Sequence, residues 1–442
     1  MGREMSNCSW SDACEFWGVW RSLDDVSESI LPAARVGHTV HVWYPSKLYE
    51  QPILLILGGA DPAGTFNEVH VYEVSTSKWT QATIPKELSP ALGRYEHTSV
   101  FLHNKEIVVF GGATKDGPLD EIISFQLCAD EENPTSSVHI LRCDRTPSRF
   151  QHGSRTQHSC ACLTEFDQLI VFSGGGMGSQ PVPDLQVHMY DTVTNAWSII
   201  PAAGSPPCPR FGHLILYQPP KSHSRCEDRL PRGRLFVHGG MAEDEYFDDF
   251  YLLDFSNLSE DTLRANWMDV SERSEWAFGS LERVNPRFNT ILERCGRSSD
   301  CTGPCARAAH GGTLLILDSP GPKVHADALV FLFGGIGRLG ALNDMFCFST
   351  GTYCWTEIKL SGLLPQARLD FACCSYIVAS SKEAESEPDT NSADTSSADG
   401  VLAPKTRFLR HYFFIHGGMD TDGNVFNDAM ALLLAEEQVL AE

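Results

Sequence analysis

No stretch of this chain approaches the ~18–20 consecutive apolar residues that a helical membrane span requires, so no transmembrane helix is expected. Basic charge is scarce: 34 Lys and Arg stand against 57 Asp and Glu, a net charge of −23. That balance argues against binding nucleic acid or an anionic membrane through a bulk basic field. Residues 1–10 carry no long apolar core of the signal-peptide kind. The 15 cysteines show no framework spacing, and both features point to mostly free thiols in a reducing, cytosolic setting. Ordinary reaction signatures are missing too. Gly174-Gly175-Gly176-Met177-Gly178 lacks the Lys-Ser/Thr ending and the following helix of a phosphate loop. The His-Gly-Gly triplets at His238, His310 and His416 have no Gly-x-Ser-x-Gly elbow to serve. Cys295, Cys301 and Cys305 with His310 fit no standard zinc spacing. Asp420-Thr421-Asp422-Gly423-Asn424 places its glycine fourth rather than sixth, unlike an EF-hand loop. No catalytic residue, cofactor or metal is expected, and the chain reads as a non-enzyme.

What is present is a ladder of glycine pairs. They fall at Gly58-Gly59, Gly111-Gly112, Gly174-Gly175, Gly239-Gly240, Gly334-Gly335 and Gly417-Gly418. Each closes a short apolar run such as Leu55-Ile56-Leu57 or Val330-Phe331-Leu332-Phe333. Such a run reads as a buried strand, and two glycines permit a turn that side chains forbid. Copies at fixed intervals mean a repeat architecture. Three more signatures keep the same register. Arg-x-x-His precedes each run at Arg35/His38, Arg94/His97, Arg155/His158, Arg210/His213 and Arg307/His310, with Phe371 replacing His after Arg368. An acidic signature follows each glycine pair by nine or ten residues, at Asn67-Glu68, Asp120-Glu121, Asp184, Asp248-Asp249, Asn343-Asp344 and Asn427-Asp428. A Trp comes later still, at Trp79, Trp197, Trp267 and Trp355.

Each unit therefore holds four strands: a after Arg-x-x-His, b ending in the glycines, c after the acidic position, and d at the Trp. Six such units predict an all-β fold, a six-bladed β-propeller. The blades span 35–84, 94–143, 155–201, 210–270, 307–359 and 368–434. The last unit ends without a Trp, while Trp20 stands fifteen residues before Arg35, as Trp79 does before Arg94. Residues 15–24 are thus expected to supply strand d of the sixth blade and close the ring. In the second unit Ile140 occupies the Trp position. The Trp rings are expected to pack between blades. Inserts at 271–304 and 380–404 are expected to be flexible, the second because it is polar and acidic. Shorter ones lie at 218–233 and 128–133. Antiparallel order places the d–a and b–c turns on one face. It sends the 271–304 insert out from that face and the 380–404 insert out from the opposite one.

The arginine ladder has two readings: a ring facing an acidic partner, or residues hydrogen-bonded to the turns of their own blades. The acidic positions read as backbone caps of turns rather than catalytic carboxylates.

Glycine pair, acidic position and spaced Trp together resemble the kelch repeat, whose members build propellers. Ala34-Arg35-Val36-Gly37-His38, Gly58-Gly59-Ala60-Asp61-Pro62, Arg94-Tyr95-Glu96-His97 and Arg368-Leu369-Asp370 resemble, more narrowly, kelch effectors of a late-endosomal Rab GTPase. The longer 271–304 insert, Phe371 in place of His and a longer N-terminal arm depart from that group. The resemblance implies a monomeric interaction scaffold that binds a GTP-loaded Rab in endosome-to-trans-Golgi vesicle transport. It would be cytoplasmic and reach endosome or Golgi membranes through partners, without membrane insertion or nucleic-acid binding. An adaptor for a ubiquitin ligase is the alternative, although the chain holds no BTB or F-box segment, and a kelch-type metal enzyme is the third reading. The expected partner face comprises Asp61, Arg94, Tyr95, Lys115, Asp116, Gln180, Glu243, Asp244, Tyr246, Arg338 and Asp422.

Overall fold

The run Ile53–Leu57 is a strand in which every side chain is buried. Gln168–Phe172 behaves the same way, so the apolar runs before the glycines form the middle of each blade. The computed structural model of the chain describes residues 19–23, 29–45, 51–86, 93–102, 106–128, 138–146, 153–163, 165–176, 180–220, 233–255, 264–271, 288–290, 303–317, 327–382 and 406–440.

The strands pair in the order a–b–c–d within each blade. Blade one is Thr39–Trp43, Ile53–Leu57, Val69–Glu73 and Lys78–Gln81. Blades two, three and five repeat this four-stranded antiparallel sheet, and blade four adds a short parallel edge, Ala202–Ala203, beside its strand d. The six a strands contact one another in a closed circuit and so line the axis. The d strands lie outermost. Six antiparallel sheets in a ring are the expected six-bladed β-propeller.

Blade six closes the ring. Arg21–Ser22 pairs antiparallel with Met430–Ala431 of strand c, and the Leu23 amide donates to the Ala429 carbonyl at 2.8 Å. The N-terminal segment therefore supplies strand d of the last blade. A second piece of that edge comes from elsewhere. Phe288–Thr290, inside the 271–304 insert, pairs with Ala435–Glu437 further along the same strand. At ~3.3 Å per residue those partners lie about 20 Å below the turn face. Residues 288–290 of this insert are thus a strand on the outer edge of blade six, while its described ends, Ser271 and Gly303-Pro304, stay against blades four and five. Residues 272–287 and 291–302 lie outside the described residues, as do 129–137, 221–232 and 383–405. Of the acidic segment 380–404, Ser380–Lys382 extends strand a of blade six, paired with Thr406–Phe408.

The core is distributed between blades. Each outer-strand aromatic leans on the residue just before the turn glycines of the preceding blade. Trp197 sits 5.0 Å from Phe110, Trp267 5.5 Å from Phe172 and Trp355 5.4 Å from His238, centroid to centroid. Trp20 lies 5.1 Å from Phe333, and Trp79 6.0 Å from His416, so the relation runs through the closure as well. Ile140 fills the second blade's position and is buried with Leu55, Leu57 and Val71 of blade one. Trp43, in strand a of blade one, is buried in the same cluster and carries no repeat signature that would have announced it.

Candidate functional site

The two turns on one face meet at the ladder arginine. Arg210 Nη1 donates to the Gly239 carbonyl at 2.8 Å, and its guanidinium grips both Asp249 oxygens at 2.5 and 2.8 Å. Arg307 holds Gly334 and Asp344, and Arg368 holds Gly417 and Asp428, in the same way. Arg35 pairs with Glu68 at 2.8 Å, Arg94 with Glu121 at 2.5 Å and Arg155 with Asp184 at 3.3 Å. Five of these arginines are 0% exposed and Arg94 is 3% exposed. The acidic positions are therefore ion-pair partners of the arginine in their own blade, and Asp184 also caps its turn as expected, accepting the Gln186 amide at 3.0 Å. Arg94 is likewise buried and paired, and it belongs to the scaffold and not to the partner face.

The glycines make the same turn in every blade but one. At Gly58-Gly59 both residues have positive φ, 65° and 91°. A Cβ on Gly59 would lie 2.8 Å from His38 Cβ and 2.9 Å from the Val36 carbonyl. In blade three the equivalent pair is Ser173-Gly174, with φ of 51° and 118°, and Gly175 lies one residue beyond. Arg155 donates to the Ser173 carbonyl at 2.9 Å, as the other arginines do to their first glycine. The register read as Gly174-Gly175 is thus displaced by one. Ser173 adopts the left-handed backbone because its hydroxyl bridges to the Arg210 backbone, 2.8 Å from both N and O.

Two circuits of backbone hydrogen bonds join the blades. The second turn residue of each blade donates to the next arginine's carbonyl, from Gly59 to Arg94 at 2.8 Å through to Gly418 and Arg35 at 2.9 Å. Nearer the axis, the residue before each His or Phe has positive φ: Gly37, Glu96, Gln157, Gly212, Ala309 and Asp370. These six close a ring, each amide donating to the preceding carbonyl at 2.7–3.1 Å. Inside it lies a cavity of about 130 Å³, lined by the ring residues with His38, His97, His158, Ser159, His213, His310 and Phe371. Burial drives the imidazoles toward the neutral form, with the arginines adding to the effect at His97 and His213, which fall to about 3. Asp370 moves the other way, up to about 7, through desolvation and the nearby Glu96 charge.

Outside the ring stand the b–c hairpin tips. Lys115, Asp116, Glu243, Asp244, Arg338 and Asp422 are exposed there, as is Gln180 of blade three. Gln180 reaches across to Glu243 at 3.4 Å. Asp61 is half-buried and accepts the Ala63 and Gly64 amides at 2.8 and 3.0 Å, so it shapes its own tip. Tyr95 and Tyr246 are half-buried, their backbones paired into the short ladders at the base of the tips. Leu339, at the tip of blade five beside Arg338, is 101% exposed, and the repeat signatures gave no reason to single it out. Asp420 caps the tip of blade six by accepting the Asp422 and Asn424 amides, which accounts for its EF-hand flavour. Cys305, of the possible metal cluster, accepts from Arg307 at 3.2 Å, and His310 is bonded to His238 at 3.0 Å. Cys295 and Cys301 lie outside the described residues.

A ring of blades locked at paired glycines by arginine–carboxylate contacts, with inter-blade tryptophans, defines a kelch propeller. Residues 37–259 match the KLHDC2/KLHL20/DRC7 Kelch-repeats domain, just over half of the chain, and the protein belongs to the kelch-repeat family. Among curated relatives is the bovine "Rab9 effector protein with kelch motifs", 35% identical over 52% of this chain and 55% of that protein's length. The rat protein of the same name is 28% identical over 91% of this chain and 92% of its own length. The human one is 32% identical over 52% and 55%. Three of these first four matches thus span about half the length of the relative, and the rat match spans nearly all of it. Among the described residues no helix is long and apolar enough to cross a membrane.

Proposed function

We propose that this propeller is a protein-docking scaffold that binds a Rab-family GTPase in its GTP form and serves endosome-to-trans-Golgi vesicle transport. The observation that carries the reading is the alignment over 91% of the chain with a relative named as a Rab9 effector. The geometry supports docking on the turn face. Six turns are fixed by buried ion pairs, so the tips present a rigid platform whose ordering cost is already met. Lys115, Asp116, Glu243, Asp244, Arg338 and Asp422 supply the charged rim, and Leu339 supplies an apolar anchor. The chain brings the GTPase together with whatever its other surfaces hold, without chemistry of its own.

The test is capture of the purified full chain by immobilised Rab9 loaded with GTP analogue or with GDP. Recovery on the GTP form alone is expected, and Leu339→Asp should reduce it about tenfold or more while leaving the melting curve intact. Equal recovery on both nucleotides, or none on either, overturns the proposal.

A further inference from the structure

Blade six is longer than blade one, and the 271–304 insert is fastened to the part that is extra. Its a, b and c strands, Ala372–Lys382, Thr406–His416 and Ala429–Leu440, run 11, 11 and 12 residues, where the same strands of blade one run 5 each. The pairing shifts between His411 and Tyr412, which lie opposite Ala435 and Leu433. Leu434 is the extra residue of a bulge, and it divides strand c into a half within the propeller and a half that projects below it. The N-terminal segment edges the first half, at Met430–Ala431. Phe288–Thr290 edges the projecting half, opposite Ala435–Glu437. The insert thus has described anchors on three blades. At its start Ser271 Oγ accepts the Phe250 amide of blade four at 2.7 Å. At its end Gly303 lies against Trp355 of blade five, where an added Cβ would stand 3.1 Å from ring atom Cδ1. Its middle reaches blade six, one blade past the one it leads into, whereas 201–210 suffices to join blades three and four.

We propose that the insert is a releasable strap: in place, its residues 288–290 close the projecting edge of blade six, and when they leave, Ala435–Glu437 becomes an edge that accepts an extended strand. Two features make the strap releasable. The pairing is only three residues long, and it closes a loop against its own chain entropy. It also stands apart from the N-terminal closing strand, with residues 432–434 between the two, so one can open while the other holds. The need for a cover is plain from strand c itself. Met430-Ala431-Leu432-Leu433-Leu434-Ala435 is an unbroken apolar run, and a bare edge on such a strand is a template for pairing with another chain. On the inner side the projecting half is well held, since Arg410, 4% exposed, bonds Glu436 at 2.8 Å. Release of the strap therefore leaves an ordered acceptor edge and not a melted strand.

The strap needs no Rab, and its test uses none. Hydrogen exchange of the full chain, read by mass spectrometry, follows the edge directly. Asn289→Pro removes a backbone donor from the middle of the pairing. A second variant replaces residues 272–302 with a Gly/Ser connector and keeps the blades joined. In both, segments within 435–440 should exchange about tenfold faster or more, with blades one to three unchanged. A synthetic peptide of residues 285–294, added to the connector variant, should restore the protection, and a scrambled peptide should not. The same peptide should leave the intact chain unaltered, because its own strap already fills the edge. Unchanged exchange at 435–440 in both variants, an equal rise in every blade, or no restoration by the peptide overturns the proposal.

Discussion

The Gly418 amide donates to the Arg35 carbonyl at 2.9 Å, across 383 residues of sequence. The same bond links Gly59 to Arg94 and every other neighbouring pair, so the junction between last and first blade is built like the rest. What distinguishes blade six is its outer edge, which the chain's beginning must complete.

Removing that edge should be costly. Trp20 is 2% exposed and packs on both Phe333 and Phe413. Trp20→Ala is expected to destabilise the protein by about 3–5 kcal/mol, read from the urea midpoint. Deleting residues 1–24 should cost at least as much. A melting curve unchanged by the deletion would remove the N-terminal strand from the closure. Trp197→Ala should cost less, since that ring is only half-buried.

The arginine ladder makes a sharper demand. Arg210→Ala leaves Asp249 without its bidentate partner at the edge of the core, and a loss of about 3–5 kcal/mol is expected. Arg210→Lys should recover little, because one ammonium cannot reproduce two parallel bonds and the carbonyl contact. Denaturation of both variants checks this; near-wild-type stability in either would return the ladder to the surface as a partner-facing ring.

Blade three separates true turn glycine from apparent one. A Cβ at Gly174 would lie 2.6 Å from His158 Cβ on a backbone with φ of 118°. At Gly175 the nearest neighbour would be 3.5 Å away, and φ is not positive. Gly174→Ala should therefore destabilise by well over ~1 kcal/mol and Gly175→Ala by about 0.5 kcal/mol or less. Equal effects would restore the register with Gly174-Gly175 as the pair.

Acid should weaken the ring before it weakens the surface. His97, His213 and His238 are held down to about 3 by burial, against 6.5 for free imidazole. The unfolded chain then binds more protons between those values. Their contribution is fully present above pH 6.5 and is lost as pH falls toward 3. Asp370 has the opposite sign: raised from 3.8 to about 7, it favours the fold below pH 3.8 and costs stability as pH climbs through 7. Melting temperature should thus fall steeply from pH 6.5 to 4. Asp370→Asn should gain stability at pH 8 and none at pH 4; the same increment at both would show that its carboxyl does not titrate in this range.

The strands and the blade count are legible in the sequence because they rest on local features: apolar runs, turn glycines and a repeated interval. The closure was legible too, since the spacing from Trp20 to Arg35 repeats that from Trp79 to Arg94. Blade three misled because Gly174, Gly175 and Gly176 offer overlapping pairs, and the turn uses Ser173, whose hydroxyl bond is made in another blade. The role of the acidic positions was hidden for a similar reason. Arg210 and Asp249 are 39 residues apart, and only folding shows that they touch. The inner ring has no sequence signature, because Gly, Glu, Gln, Gly, Ala and Asp share a backbone conformation and nothing else. Phe288–Thr290 could not be placed on blade six either, since its partner strand lies about 150 residues downstream.

The edge shared by Arg21–Ser22 and Met430–Ala431 also sets an order of events. During synthesis the segment around Trp20 leaves the ribosome long before the strand that receives it, Met430–Ala431. Five blades can form along the way, each leaning on the one before, but the strand beside Trp20 has no partner until Met430–Ala431 is made. Until then blade six has only its two inner strands, Ala372–Lys382 and Thr406–His416, and the ring stays open at its outer edge. The protein thus becomes a ring in one late step, and a chain truncated anywhere before residue 430 never takes it.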